Sequence, residues 1–335
     1  VTDPILVTGA GGYIGSALVR AIAAAGPARI LLLDSSEQNL FGIHRYLEAA
    51  HPGAAHEAIL GNVTDAALLH CVFRQFSPSL VYHAAAFKHV PLLELNPLAA
   101  LRNNTMGTYA LAKAALEHGA SSLVLVSTDK AVNPHSIMGA SKRLAELIVA
   151  TLASPRCRMN AIRLGNVVGS TGSVIPIFLE QISARGPVTV THPEATRYFM
   201  SLADAVGAIL AAGVAECSGR ILLPELGEPE SIADLARRLI AAAPGGNAIQ
   251  IRFIGLRPGE KLDEDLVLQT ETREGSTARS LQIILTPTPD PFVLHEHMQQ
   301  IDCLLLSADR ARLIEMICAL VPEYRQSSLI RGALG

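Results

Sequence analysis

Short apolar runs alternating with helical stretches constrain this chain more than anything else in it. Runs at 5–7, 30–33, 58–60, 80–83, 123–126 and 160–163 are rich in Val, Ile and Leu and too short for buried helices. Helical stretches lie between them at 13–25, 41–50, 66–76, about 97–119 and 138–152, the first stopping at Gly26-Pro27. Repeated strand–helix units with short loops predict an α/β fold, a Rossmann-like, doubly wound parallel sheet. Composition agrees. The 335 residues are 50% hydrophobic but only 4% aromatic, without Trp, so the core has to be built from Ala, Leu, Ile and Val. Such helices packed on such strands are what a parallel sheet covered on both faces requires.

Beyond Gly165 the alternation loosens. A Gly/Ser-rich loop at 169–176 is followed by a helix at 174–184, a strand at 188–190, a helix at 202–212 and a strand at 221–223. A helix at 232–243, a strand at 249–253, a polar loop at 269–280 and a closing helix at 307–321 complete the reading. This divides the chain into a dinucleotide-binding domain over 1–165, to which 200–225 returns, and a smaller C-terminal α/β substrate-binding domain over 166–335.

Several function classes fall away. The net charge is −3 with no basic block, so nucleic acid is not an expected partner. The five Cys are scattered and odd in number, which reads as reduced thiols in a cytoplasmic protein, with neither a disulfide framework nor a zinc site. His83 and His89, the closest His pair considered for a metal, read as structural. No apolar run reaches the ~18 residues that a membrane helix needs, and the start lacks the pattern of a signal peptide. The expectation is a soluble cytoplasmic protein with no membrane segment.

The first βα turn is Thr8-Gly9-Ala10-Gly11-Gly12-Tyr13-Ile14-Gly15. Glycines at 9, 12 and 15 permit a tight turn, close backbone approach to a pyrophosphate and close helix–strand packing. The helix that opens at Tyr13 and Ile14 would face the phosphates with free N–H groups and its positive end. Asp34 ends the second strand, where a carboxylate can accept both ribose hydroxyls. It favours NAD over NADP by repelling a 2′-phosphate. Ser35 follows without an adjacent Arg, although Arg45 is near enough to keep NADP open. Asn62-Val63 and Ala84-Ala85-Ala86 stand at two further strand ends, where they would line the cofactor crevice; Ala there also suits plain core packing.

The run Ser127-Thr128-Asp129-Lys130 ends the fifth predicted strand at the same edge. In the helix that follows, Met138 and Lys142 lie one turn apart on one face. A Lys so placed can hydrogen-bond the nicotinamide ribose and lower the proton affinity of its neighbours. Asp129 and Lys130 form a candidate acid–base pair, or else a solvated surface pair. Asn104, on the long helix, can support the site through its side chain.

Together with Asn104-Thr105-Met106-Gly107-Thr108, these motifs resemble the extended short-chain dehydrogenases/reductases. More narrowly, five further motifs resemble the UDP-N-acetylglucosamine 4,6-dehydratases of polysaccharide biosynthesis. They are Ala86-Phe87-Lys88-His89-Val90-Pro91-Leu92, the run from Ser127 to Pro134, Arg163-Leu164-Gly165-Asn166-Val167-Val168-Gly169-Ser170, Thr196-Arg197-Tyr198-Phe199-Met200 and Arg257-Pro258-Gly259-Glu260-Lys261-Leu262. The likeness runs from about residue 5 to about residue 266 and is loose from there to 320.

The resemblance implies oxidation of the sugar 4-hydroxyl by NAD, removal of the acidified C5 proton by Lys130, protonation of the departing 6-hydroxyl by Asp129, and return of hydride to C6. The product is a 4-keto-6-deoxy sugar. Where relatives carry a catalytic Tyr, this chain has Met138, as in the membrane-anchored, C5-retaining branch; Thr128 then becomes the group that orients the 4-hydroxyl. Asn166, Arg197, Arg257 and Glu260 are expected to hold the nucleotide diphosphate and ribose, the arginines by bidentate bonding. Lys88 is a phosphate or sugar contact or a surface lysine. A nucleotide sugar is the implied partner, and a homo-oligomer the implied assembly. The alternatives are an NAD-dependent nucleotide-sugar epimerase and a catalytically silent NAD-binding protein.

Overall fold

The computed structural model describes residues 3–26, 29–170, 172–245, 248–277 and 279–332. Pro27, expected to stop the first helix, lies outside them, as do Thr171 and Ala278 in the two expected loops.

The chain opens with β1 (Ile5–Thr8), α1 (Tyr13–Ala24), β2 (Ile30–Asp34), α2 (Glu37–Ala50), β3 (His56–Leu60), α3 (Ala66–Phe76) and β4 (Leu80–His83). Then come α4 (Val90–Leu95), α5 (Pro97–Ala100), a π-helical turn (Leu101–Met106), α6 (Gly107–Glu117), β5 (Ser122–Thr128), α7 (Ile137–Leu152) and β6 (Arg158–Leu164). The expected alternation is present, and β1, β2 and most of β5 are buried on both faces, as near-continuous apolar runs require. In contrast, β3 mixes His56 and Glu57 with Ala58 and Ile59, because it is the edge strand.

The remaining elements are β7 (Asn166–Val167), α8 (Val174–Ser183), β8 (Val188–Val190), β9 (Thr196–Arg197), β10 (Phe199–Met200), α9 (Leu202–Gly213) and β11 (Arg220–Leu223). They continue with β12 (Glu230–Ser231), α10 (Ile232–Ala242), β13 (Ile251–Phe253), β14 (Thr272–Ser276), β15 (Gln282–Leu285), α11 (Pro291–Leu306), α12 (Arg310–Leu320) and α13 (Ser328–Gly332). One nine-stranded sheet has the order β14-β15-β11-β6-β5-β4-β1-β2-β3. It is parallel from β3 to β11, while β15 and β14 add antiparallel at the other edge. The strand order reverses between β1 and β4, and the crevice at their C-terminal ends is where such sheets take ligands.

Four expectations are corrected. The long helix at 97–119 is interrupted by the π turn, a single-turn bulge of the kind frequent at functional sites. The 269–280 loop contains β14, whose residues are all exposed; an edge strand with one wet face reads as polar. The closing helix starts at Arg310, capped by Asp309, and is preceded by α11. Finally, 281–330 supplies Leu281, Leu294, Ile301, Ile314 and Ile330 to the main core, whereas a second, smaller core gathers Phe178, Val188, Ala195, Ile232 and Ile240.

Candidate active site

Glycine geometry sets the first βα turn. Gly9 has φ 66°, and a Cβ there would meet Ala85 N at 2.7 Å, so β1 and β4 approach as only glycine allows. At Gly15 a Cβ would stand 1.9 Å from the Gly9 carbonyl oxygen. Helix α1 begins at Gly12 with no capping side chain, whereas Ser36, Asp65, Ser136, Ser201 and Ser231 cap α2, α3, α7, α9 and α10. The first N–H groups of α1, on Tyr13, Ile14 and Gly15, therefore have neither an intrahelical nor a capping acceptor. This is the arrangement that binds an anion.

A cleft of about 250 Å³ opens beside this turn. Gly9, Gly12, Asp34, Ser35, Asn62, Val63, Ala84, Ala85 and Ala86 line it, all of them named from the sequence. Ser36, Asn39, Gly61, Phe87 and Asn103 also line it, and none of these was assigned to the cofactor from the sequence. Ser36 and Asn39 enter because α2 starts four residues before its predicted first residue; a Ser followed by an acidic first turn was the available signal. Asp34 accepts the Gly11 N–H on one oxygen and the Ser36 N–H on the other, both at 2.9 Å. Each oxygen keeps acceptor capacity for a diol.

Other expected cofactor residues act at one remove from the cleft. The Tyr13 hydroxyl donates to Val168 O at 2.7 Å. Asn104, in the π turn, accepts from Phe87 N at 2.8 Å and donates to Phe87 O and Ser141 Oγ at 3.0 Å each. His83 bridges Thr8 and Thr108. Because the Thr108 hydroxyl proton is donated to Asn104 O, Nε2 of His83 carries the proton and Nδ1 accepts from Thr8. Burial, aided by Lys142, pushes His83 down to about 3, so it stays neutral and structural. Lys142 is buried and donates to Val126 O at 2.7 Å; burial pushes it down to about 8, with Glu146 opposing. Met138 is buried in the core.

At the end of β5, Thr128 and a single 3-10 turn present Asp129 and Lys130. Helix α7 packs so tightly here that a Cβ on Gly139 would stand 2.3 Å from Lys130 O. Asp129 is fully buried. Its Oδ1 accepts from Thr128 Oγ1 at 2.8 Å and from Lys130 Nζ at 2.9 Å, while Oδ2 has no partner among the described residues. Lys130 Nζ also donates to Asn166 Oδ1 at 2.8 Å, so Asn166 joins the acid–base pair.

The other expected substrate contacts are differently engaged. Arg197 donates to the carbonyls of Thr196, Lys261 and Leu262 at 2.6–2.9 Å, which pins the 261–262 backbone rather than offering a free fork. Arg257 pairs with Glu260. Lys88 is exposed. Glu264, which no motif singled out, is buried beside Arg197 and Lys261.

The chain matches the family model described as polysaccharide biosynthesis protein over residues 5–285. It is 44% identical over 271 residues to the capsular polysaccharide biosynthesis protein CapD of Staphylococcus aureus, covering 80% of this chain and 45% of that protein. With the probable polysaccharide biosynthesis protein EpsC of Bacillus subtilis (strain 168) the identity is 40% over 316 residues, covering 93% and 53%. The chain thus spans about half the length of these curated relatives. It is also 40% identical over 191 residues to a UDP-glucose 4-epimerase of Rickettsia canadensis (strain McKiel), covering 56% and 55%. Among solved structures it is similar to Pen from Bacillus thuringiensis, with 27% identity, a TM-score of 0.78 and coverage of 86% of this chain and 89% of that one. Among the described residues no helix is long and apolar enough to cross a membrane.

Proposed function

This chain belongs to the polysaccharide biosynthesis protein family, of the extended short-chain dehydrogenase/reductase type, and from that membership we propose that it is a nucleotide-sugar 4,6-dehydratase. The proposed substrate is UDP-N-acetylglucosamine or a close nucleotide-linked N-acetylhexosamine, and the product its 4-keto-6-deoxy form with C5 configuration retained. The observation that carries this reading is the hydrogen-bonded pair of buried Asp129 and partly exposed Lys130 at the end of β5, since elimination needs an acid and a base together.

NAD is the proposed cofactor, held by the uncapped N–H groups of Tyr13, Ile14 and Gly15 and by the Asp34 carboxylate. When bound, it would accept hydride from sugar C4 and give it back at C6. Asp34 places negative charge where NADP carries its 2′-phosphate, and Arg45 is exposed on α2 and absent from the cleft lining. The chain's own part is proton movement. Lys130, as the neutral amine, takes the C5 proton that the 4-ketone has acidified. Asp129, as the acid, gives its proton to the 6-hydroxyl, and water leaves; once C6 has been reduced, the Lys130 ammonium, exchanged with solvent, returns a proton to C5. A proton shift along their 2.9 Å hydrogen bond converts the ion pair into this reactive neutral pair without net uptake from solvent. Thr128 and Asn166 orient the two groups. Met138 cannot exchange a proton, which leaves Thr128, hydrogen-bonded to Asp129, as the hydroxyl proposed to orient the sugar 4-hydroxyl.

The test is to incubate the protein with UDP- and GDP-linked N-acetylhexosamines in deuterated water and follow the products by NMR. Dehydration gives a 6-methyl, 4-keto sugar with deuterium at C5, whose configuration is read directly. The second reading, an epimerase, is favoured by the identity to the Rickettsia protein. It gives a C4 epimer that retains its C6 oxygen, and finding that product alone refutes the dehydratase.

A further inference from the structure

The C-terminal segment 321–330 closes on the element that carries the candidate site. Val321, Tyr324 and Ile330 anchor it in the main core. Three alternate residues then grip α7 and the chain leading into it. Glu323 accepts from Arg143 Nε on α7 at 2.9 Å. Arg325 donates its backbone N–H to Pro134 O at 2.9 Å. The Ser327 hydroxyl donates to Oε2 of Glu94, a fully buried carboxyl on α4.

Glu94 passes this contact on. Its Oε1 accepts at 2.7 Å from the N–H of Ile137, the first residue of α7. That N–H has no intrahelical acceptor, and the capping Ser136 side chain serves Gly139 instead. A carboxylate in this place also meets the positive end of the helix. A third element rests on the same carboxyl. Gly259 has φ 84°, and a Cβ there would stand 3.1 Å from Glu94 Cδ and 2.9 Å from Ser136 Cβ. The loop that carries Arg257 and Glu260 is therefore seated on Glu94.

What these contacts hold is the short span 131–136 between Lys130 and Ile137. Lys261 Nζ donates to Val132 O at 3.0 Å and Asn133 to Asp265 at 2.9 Å, so the span is tied at 132, 133 and 134 and at the start of α7. Helix α7 also meets Lys130 O directly, at Gly139, where no Cβ would fit. A shift of the start of α7 is thus transmitted to the Lys130 turn.

We infer that Glu94 is a positioning residue, the joint through which the C-terminal segment holds the Lys130 turn and the 257–260 loop in place, an inference that rests on the elimination chemistry proposed above. Both its oxygens are engaged by protein donors, and no proton transfer, covalent step or redox step is assigned to it.

The test begins with a readout that needs no turnover. Amide hydrogen exchange across 129–142 is followed by mass spectrometry in the parent, in Glu94→Ala and in the milder Ser327→Ala. Exchange there is expected to quicken by about fivefold to tenfold for one lost hydrogen bond. Ser327→Ala should show it too, although Ser327 bonds none of those residues itself. With UDP-N-acetylglucosamine, below the melting temperature, Glu94→Ala is expected to lower kcat by about 10–100-fold through misplacement of the acid–base pair. Glu94→Gln, whose amide still accepts from Ile137 and meets the Ser327 hydroxyl, should recover kcat to within about threefold. Unchanged exchange across 129–142 in either folded variant overturns the role of Glu94, as does a Glu94→Gln enzyme as slow as Glu94→Ala, or a Glu94→Ala enzyme as fast as the parent. Faster exchange in the variants, with no 4-keto product from any nucleotide sugar even in the parent, refutes the proposed function and leaves the joint standing.

Discussion

Two clusters of buried charge flank the end of β5, and they obey opposite rules. On one side Ser127 donates to Glu146, which also binds Arg163 and Arg143; Glu271 binds the same two arginines. Arg143 goes on to Glu323 and Thr286, and Arg163 to Leu266 O. All four carboxylate oxygens of Glu146 and Glu271 are multiply bonded, and no member of this network has a buried side-chain polar atom without a partner among the described residues. Burial would raise Glu146, but Arg163 and Arg143 hold it below the ordinary carboxylate value; burial works against the Arg163 charge, and Glu146 and Glu271 keep it firmly on. On the other side, Asp129, bonded to Thr128 and Lys130, keeps a buried oxygen without a partner among the described residues. The first cluster fastens β6, α7 and the 266–271 segment into one body. The second withholds satisfaction from a carboxyl that must meet something else. Between these two clusters, the incompletely bonded one coincides with the candidate site and the completely bonded one with the scaffold.

Substitution should separate the two clusters. Asp129→Asn and Lys130→Ala are expected to lower turnover of the nucleotide sugar by about 10²–10⁴-fold, the range for losing a general acid or base. Asp129→Asn should not lower the melting temperature, since it removes a buried charge with an unmet acceptor. Steady-state kinetics and thermal unfolding on the same preparations check this, and a variant that melts early without losing turnover would reverse the assignment. Arg163→Met should do the opposite. It leaves Glu146 and Glu271 without their main partner and is expected to cost about 3–5 kcal/mol of stability in urea unfolding.

How much of this was legible follows from the same contrast. The βα alternation, the glycine turn and Asp34 are local patterns, and the cleft collected nine residues read from sequence. Asp129 and Lys130 were found because a buried strand ran directly into them. Glu264 was not, because Asp263-Glu264-Asp265 looks like a solvated acidic run, and its burial depends on its loop closing against Arg197 and, through Lys261, against Val132 more than a hundred residues away. Arg197 and Arg257 show the reverse failure. Arginine type suggested a diphosphate, but only the fold reveals that Arg197 is bonded to the backbone of Lys261 and Leu262 and Arg257 to Glu260. Local spacing reports what a residue is able to do, and hydrogen-bond saturation, which is long-range, reports whether it remains free to do it.

Lys142 lies between the clusters and sharpens the comparison through pH. Its ammonium is buried with Val126 O as hydrogen-bond partner, and its proton affinity is depressed from 10.5 to about 8. Between those values the unfolded chain holds a proton that the native state has lost, so stability attributable to this group rises with pH across about 8 to 10.5. Unfolding free energies of the parent and of Lys142→Met at pH 7 and pH 9.5 isolate the effect. The parent should gain on the variant by on the order of 2 kcal/mol at the higher pH. A difference independent of pH would mean that Lys142 is charged in the native state throughout this range.

The smallest effect belongs to a satisfied bond at the surface. Tyr13 donates to Val168 O across the rim between the glycine turn and the 166–169 segment, and both residues are partly exposed. Removing the hydroxyl exposes Val168 O to water, which replaces the lost donor, so Tyr13→Phe should cost no more than about 1 kcal/mol. The backbone N–H of residue 13 is unchanged by the substitution, and dinucleotide affinity measured by calorimetry should stay within about twofold if that N–H is what binds. A larger loss of affinity would mean that the phenol itself meets the cofactor, and that the bond to Val168 is exchanged on binding. The rule drawn from the two buried clusters would then extend to the rim, with a bond that is satisfied only until the ligand arrives.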